Sequence, residues 1–152
     1  MSVINGNSLS DIKHPIYMDY WNKQGRVFWI PDSITNINTD ATLFQKLPED
    51  IKNLVLNILR MFTQTDEVVA QNYLCNYIPI FKNTEVSFML TAFVNIETVH
   101  AMAYKKLTDA LGCTDNFYKE FLNIKEMKDK HDQWLEFKSD KPYEVANVLA
   151  TS

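Results

Sequence analysis

Asn95-Ile96-Glu97-Thr98-Val99-His100-Ala101-Met102-Ala103-Tyr104 reads as a helix that turns polar groups toward its own apolar side. A helix advances about 100° per residue, so Glu97, His100 and Tyr104 fall within about 60° of one another around the axis. The same stripe continues as Leu90 and Phe93 before them and Leu107 and Leu111 after them. A buried carboxylate and imidazole cost several kcal/mol unless they are paired or bound to a metal. A divalent metal removes that cost by taking one carboxylate oxygen and one neutral imidazole nitrogen. On spacing alone two alternatives stay open: a surface pair, or a core histidine satisfied by its neighbouring glutamate.

The helix has a natural start at Thr84-Glu85 and a natural stop at Gly112. Before it, Pro48-Glu49-Asp50 opens another long helix, expected to run to about Gln71 or beyond. Its inner face is Val55, Leu59, Phe62, Asp66, Val69 and Tyr73, at steps of three or four. Asp66 is thus a second carboxylate on an inner stripe, and an antiparallel neighbour can bring it beside Glu97. Helical bundles that hold two metal ions use inward carboxylates from several helices together with Glu-x-x-His pairs. Oxygen ligands with one imidazole per metal suit iron or manganese and give no choice between them.

Further along, a third long helix is expected from Asp115 to about Phe137, with Phe117, Phe121, Ile124, Met127 and Trp134 inward and its many charges in solvent. Lys141-Pro142-Tyr143-Glu144 opens a fourth, with Val145, Val148 and Leu149 on it. Residues 1–46 hold Gly, Pro, Asn, Asp and Ser at short intervals and read as an extended N-terminal arm with little regular structure. Within the arm, Val27-Phe28-Trp29-Ile30-Pro31 is a dense apolar patch, either an anchor or, through Trp29, an electron relay. Tyr104 has a matching pair of readings: a bonded core phenol, or a redox-active one. The fold class is therefore all-α, with an arm over 1–46 and a helical bundle over 47–152.

Composition narrows the function. The chain has 152 residues, 46% hydrophobic, enough for one domain with a real core. A net charge of −4 leaves no basic footprint for nucleic acid. The longest nearly apolar run, Val86 to Val94, falls short of the roughly 20 residues of a membrane span. The start, MSVINGNSLSDIKHP, is polar and unlike a signal peptide. Cys75 and Cys113 lie too far apart for a metal knuckle and read as small buried apolar residues of a reducing, cytoplasmic protein. Three glycines cannot build a phosphate-binding loop. His14 reads as exposed in the arm and His131 as a bonded helix-edge histidine.

These residues resemble the ribonucleotide reductase small (beta) subunit. Residues 95–104 are similar to its Glu-x-x-His-x-x-x-Tyr signature, and Gln64-Thr65-Asp66 to its first ligand helix. Phe28-Trp29-Ile30-Pro31 is similar to the motif whose Trp lies on the radical path, and Tyr118 to Asp132 is also like the family. The resemblance implies a ferritin-like bundle, here its N-terminal half, and a homodimeric subunit with two iron ions, or two manganese ions in one subclass. It implies Asp66, Glu97 and His100 as ligands, Tyr104 as the radical tyrosine and Trp29 as the electron relay. The radical would serve the large subunit, which reduces ribonucleotides to deoxyribonucleotides. The family needs a further Glu and a second Glu-x-x-His, which this sequence lacks. The chain is thus expected to be part of a longer subunit or one product of a split gene whose partner chain carries the rest. Alone it is expected to form no radical, unless self-association supplies ligands. The competing readings are another ferritin-like di-iron oxidase or iron-handling protein, and a non-enzymatic helical interaction module.

Overall fold

The computed structural model describes residues 2–137 and 139–151, without the side chains of Trp134, Glu136, Leu149, Ala150 and Thr151. In chain order the helices are α1 (Pro15–Arg26), α2 (Ile37–Phe44), α3 (Glu49–Asn72), α4 (Thr84–Ala110), α5 (Asp115–Lys119), α6 (Lys125–Glu136) and α7 (Pro142–Thr151). No strand occurs among the described residues.

The two long helices form where their end signals stand. Pro48 precedes α3 in extended geometry, with Glu49 and Asp50 in the first turn. After Asn72 the chain widens into a π-helical turn, Tyr73–Tyr77, before Pro79 ends the run. The Asn83 side chain caps α4 by accepting a hydrogen bond from the Val86 N–H. Beyond α4, Gly112 adopts φ +81, a conformation that a Cβ disfavours. Nothing lies within 4 Å of a Cβ built there, so Gly112→Ala should cost backbone strain alone. We expect about 1 kcal/mol, read as a melting temperature lower by roughly 2–4 °C.

The N-terminal 46 residues depart from expectation. Residues 2–14 lack a helix, but α1 and α2 follow, with a short 3₁₀ turn at Pro31–Ser33 between them. α1 packs along α4, and α2 and the 3₁₀ turn also touch α4. α3 and α4 pack against each other along their length.

The third long helix is broken. α5 passes into a 3₁₀ turn at Glu120–Asn123, and Ile124 is extended (φ −93, ψ 111) before α6 begins. The break lets both Phe117 and Phe121 reach the core. Arg60 of α3 clamps this corner: Nε donates to the Phe117 carbonyl (2.8 Å) and Nη2 to Glu120 (2.6 Å). Of the expected inner face, Ile124 and Met127 are half-buried. Trp134, and Leu149 on α7, lie outside the described side chains.

A tight cluster of Tyr77, Phe81, Val86, Leu90 and Val145 closes one end of the bundle. Toward the other end of α4 the buried side chains are Ile96, Val99, Ala103 and Thr108. The expected stripe of Phe93, Glu97, His100, Tyr104, Leu107 and Leu111 is only half-buried, and Phe62 on α3 is 38% exposed. Two smaller expectations also fail. Cys75 is exposed, because the π turn carries it outward, and His14 is half-buried, edge-on to Tyr17. His131 is bonded to Asp132 (3.4 Å) and rests edge-on against Phe121. α4 is long enough to cross a bilayer and has a mean hydropathy of 1.3 over its most apolar stretch. α1 and α3 pack along it, and 28% of that stretch is buried.

Candidate metal centre

The antiparallel pairing of α3 and α4 brings Asp66 to Glu97 and His100. One ligand-type atom from each of the three residues lies within 4.8 Å of the others. His100 Nδ1 is 3.2 Å from Glu97 Oε2 and 3.7 Å from Asp66 Oδ2. The i, i+3 spacing on one helix fixes the first distance, and the register of the helix pair sets the second.

The electrostatics are those of a site short of positive charge. Burial pushes the Asp66 carboxyl up to about 6, the Glu97 carboxylate pushes in the same direction, and His100 opposes them. Two carboxylates and an imidazole nitrogen converging on one point fit a hard or borderline divalent cation. Bound there, the cation would be held by Asp66, Glu97 and His100 Nδ1.

Aromatic rings surround the cluster. The Tyr104 ring is 6.4 Å from that of His100 and stacks on Phe62 at 5.7 Å. Burial raises the Tyr104 phenol above its ordinary pKa, and the Asp66 and Glu97 carboxylates push it the same way. The Trp29 indole is 6.1 Å from the His100 ring. Its loop is tied to α4 by Lys106, whose Nζ donates to the Pro31 carbonyl (3.1 Å) and to Asp32 (3.2 Å). A cleft of about 490 Å³ opens beside Asp66 and Glu97.

All five residues singled out in the sequence therefore meet around His100. Two contributors escaped sequence reading. Phe62 was visible only as an apolar residue one turn before Asp66. Lys106 carried no signal, because its partners lie 74 and 75 positions away.

Comparison with known proteins identifies the family. The family model described as "Ribonucleotide reductase, small chain" matches residues 6–152. A probable ribonucleoside-diphosphate reductase small subunit of Invertebrate iridescent virus 6 is 35% identical over 138 residues, 90% of this chain and 38% of the relative. The ribonucleoside-diphosphate reductase small chain 2 of Saccharomyces cerevisiae is 26% identical over 139 residues, 85% of this chain and 40% of that one. A ribonucleotide reductase R2 subunit from Clostridium botulinum superposes with a TM-score of 0.73 at 22% identity, over 84% of this chain and 40% of that chain. That likeness establishes the fold, a ferritin-like helical bundle. The chain spans about two fifths of the length of these relatives. With the family model matching nearly every residue and the carboxylate–imidazole cluster standing where two helices of such a bundle meet, the chain belongs to the ribonucleotide reductase small-chain family.

Proposed function

We propose that this chain supplies half of a dinuclear metal site and the radical tyrosine of a ribonucleoside-diphosphate reductase small subunit. The observation that carries the reading is the meeting of Asp66, Glu97 and His100 within 4.8 Å, with the Tyr104 and Trp29 rings about 6 Å from His100. The metals are two iron ions, or two manganese ions, since the donor set accepts both. When bound and reacted with oxygen, they would supply the oxidising equivalent that turns a phenol into a phenoxyl radical.

The chain's own residues set the terms. Tyr104 is protonated at neutral pH, its pKa being raised, so an electron leaving the ring takes the phenolic proton with it. Phe62 stacks on the ring and covers one of its faces. Trp29, tilted against His100, gives an electron a short path between the cluster and the surface loop held by Lys106. Residues 1–46 carry that relay, and 47–152 carry the ligands. The partners in this reading are the rest of the small subunit, in the same chain or a second one, a homodimeric mate, and the large subunit that reduces ribonucleotides. The reaction is placed in the cytoplasm, and neither nucleic acid nor a membrane takes part.

The test is metal content. Asp66→Ala and His100→Ala should each lower iron or manganese affinity at least tenfold while helicity by circular dichroism is kept. Unchanged metal uptake would instead favour a helical interaction module with satisfied core polar groups.

A further inference from the structure

Trp29 meets His100 from a segment that is not part of any α-helix. Residues 27–36 join α1 to α2, with a 3₁₀ turn at Pro31–Ser33 in their middle. Electron transfer falls off steeply with distance, and functional groups need to be held to within roughly 0.5 Å by the shell around them. What holds this segment on α4 therefore decides whether the path through Trp29 is used.

The turn itself is stiff. The Pro31 ring fixes its own φ. The Ile30 carbonyl accepts from both the Ser33 N–H (2.9 Å) and the Ser33 hydroxyl (2.7 Å). Ile30 is extended (φ −127, ψ 151), so a hold on Pro31 passes through one straight residue to Trp29. Lys106 supplies the hold. Among the described residues, the hydrogen bonds between residues 27–36 and α4 both start from its Nζ, to the Pro31 carbonyl and to Asp32. Lys106 stands six residues past His100, about 9 Å along α4 and about 120° around it. The segment is thus fixed at two separate points, its indole on His100 at 6.1 Å and its turn on Lys106. Two points set the direction of the indole as well as its distance.

We propose that Lys106 is a positioning residue for electron transfer through Trp29: its ammonium pins the Pro31–Ser33 turn to α4 and so keeps the indole against His100. The inference rests on the relay assignment under Proposed function. The tether acts locally. The Lys106 and Asp32 side chains are 38% and 89% exposed, and ion pairs in such settings contribute little to global stability. The donor to the Pro31 carbonyl is charged, which strengthens that bond and ties the backbone itself. Loss of Lys106 should therefore leave the fold in place and free the segment.

The experiment uses the metal-free 152-residue chain carrying Trp21→Phe and Trp134→Phe, which leaves Trp29 as its one indole. Azide radicals made by pulse radiolysis take one electron from the indole, and its N–H proton goes to solvent. Tyr104 then gives an electron to the indolyl radical across the His100 ring, which lies between the two. The phenolic proton is released as the indole nitrogen regains one, so Trp29 is restored and a tyrosyl radical remains. Optical absorption follows both species. Lys106→Met should slow this transfer about tenfold and raise acrylamide quenching of Trp29 emission, with helicity and melting temperature unchanged. Lys106→Arg keeps the charge and the donors and should restore the rate. An unchanged rate in Lys106→Met would overturn the proposal and leave the relay standing. A slower rate that comes with lost helicity or a lower melting temperature would also overturn it, for Lys106 would then be a structural residue. Tyr104→Phe separates the two readings: if it leaves the decay of the Trp29 radical as it was, the relay assignment fails and the positioning role with it.

Discussion

Asp66→Asn should make the metal-free chain more stable at neutral pH while removing its capacity to hold metal. The carboxyl titrates at an ordinary 3.8 when exposed and at about 6 in the fold, where burial and Glu97 disfavour its charge. Below 3.8 the acid is neutral in both states and costs nothing. As pH rises through 6 the unfolded chain ionises it more easily than the folded one, and stability is lost. A tenfold change in an ionisation constant corresponds to about 1.4 kcal/mol, and solvent in the cleft reduces the effect, so the penalty is on the order of 1–3 kcal/mol. Asparagine keeps the shape and never carries the charge. The variant's melting temperature at pH 7 should rise by roughly 3–10 °C, and the gain should vanish below pH 4. Manganese should raise the melting temperature of the wild type and leave the variant where it was, because a ligand stabilises only the state it binds. Wild-type uptake should itself weaken as pH falls through 6, where protons compete with metal for Asp66. An unchanged melting temperature at pH 7 would mean that Asp66 bears no such strain. The opposite signs of the two effects are what a site held ready for a cation predicts, since stability is given up where function is placed.

Much of this was readable because both long helices mark their own ends. Pro48-Glu49-Asp50, Thr84-Glu85 and Gly112 put the boundaries of α3 and α4 within a residue or two of those observed. The period of 3.6 then placed Glu97, His100 and Tyr104 on one side of α4 without any tertiary knowledge. What failed was helix held by packing alone. Ile37-Asn38-Thr39-Asp40 opens α2 with poor helix formers, and α1 contains Gly25, yet both lie against α4. The Ile124 break was hidden in the opposite way. Phe117, Phe121, Ile124 and Met127 recur at helical steps and the charges from Lys125 to Asp132 suit a solvated face, so the stretch reads as one unbroken helix. The buried demands of Phe117 and Phe121 broke it. The half-exposure of the Glu97 stripe was likewise invisible, because a sequence pattern reports which face is apolar and not whether a neighbour covers it.

Glu85 shows that limit most sharply, and the second large effect is expected there. In sequence it is merely an acid at a helix start, where it complements the helix dipole. In the fold it is fully buried and holds the N-terminal segment. Its Oε1 accepts from the N–H groups of Lys13 (2.5 Å) and His14 (3.1 Å), and its Oε2 accepts from the Asn7 amide (2.8 Å). Asn7 completes the clasp, accepting from the Thr84 N–H (2.8 Å) through its side chain and from the Thr84 hydroxyl (2.5 Å) through its carbonyl. Burial alone would raise the Glu85 pKa. Its own N–H, with those of His14, Asn7 and Lys13, outweighs burial and brings it down to about 2. Glu85→Gln turns one oxygen into a donor that faces other donors, and should cost about 2–4 kcal/mol, or roughly 5–15 °C in melting temperature. Protease cleavage before Pro15 should rise with it, since the clasp links residues 7–14 to α4. The pH dependence runs opposite to that of Asp66. The stability that Glu85 contributes is whole above 4.5 and lost as pH falls through 2. As pH falls from 7, protonation of Asp66 first adds stability, and protonation of Glu85 then removes it. These two carboxylates therefore place a stability maximum of the metal-free chain at about pH 4 to 5. Asp66→Asn should erase the rise between pH 7 and that maximum, and Glu85→Gln should blunt the fall below it. Melts of the two variants across this range separate the strained carboxylate–imidazole cluster from the structural clasp, because each should alter only one side of the curve.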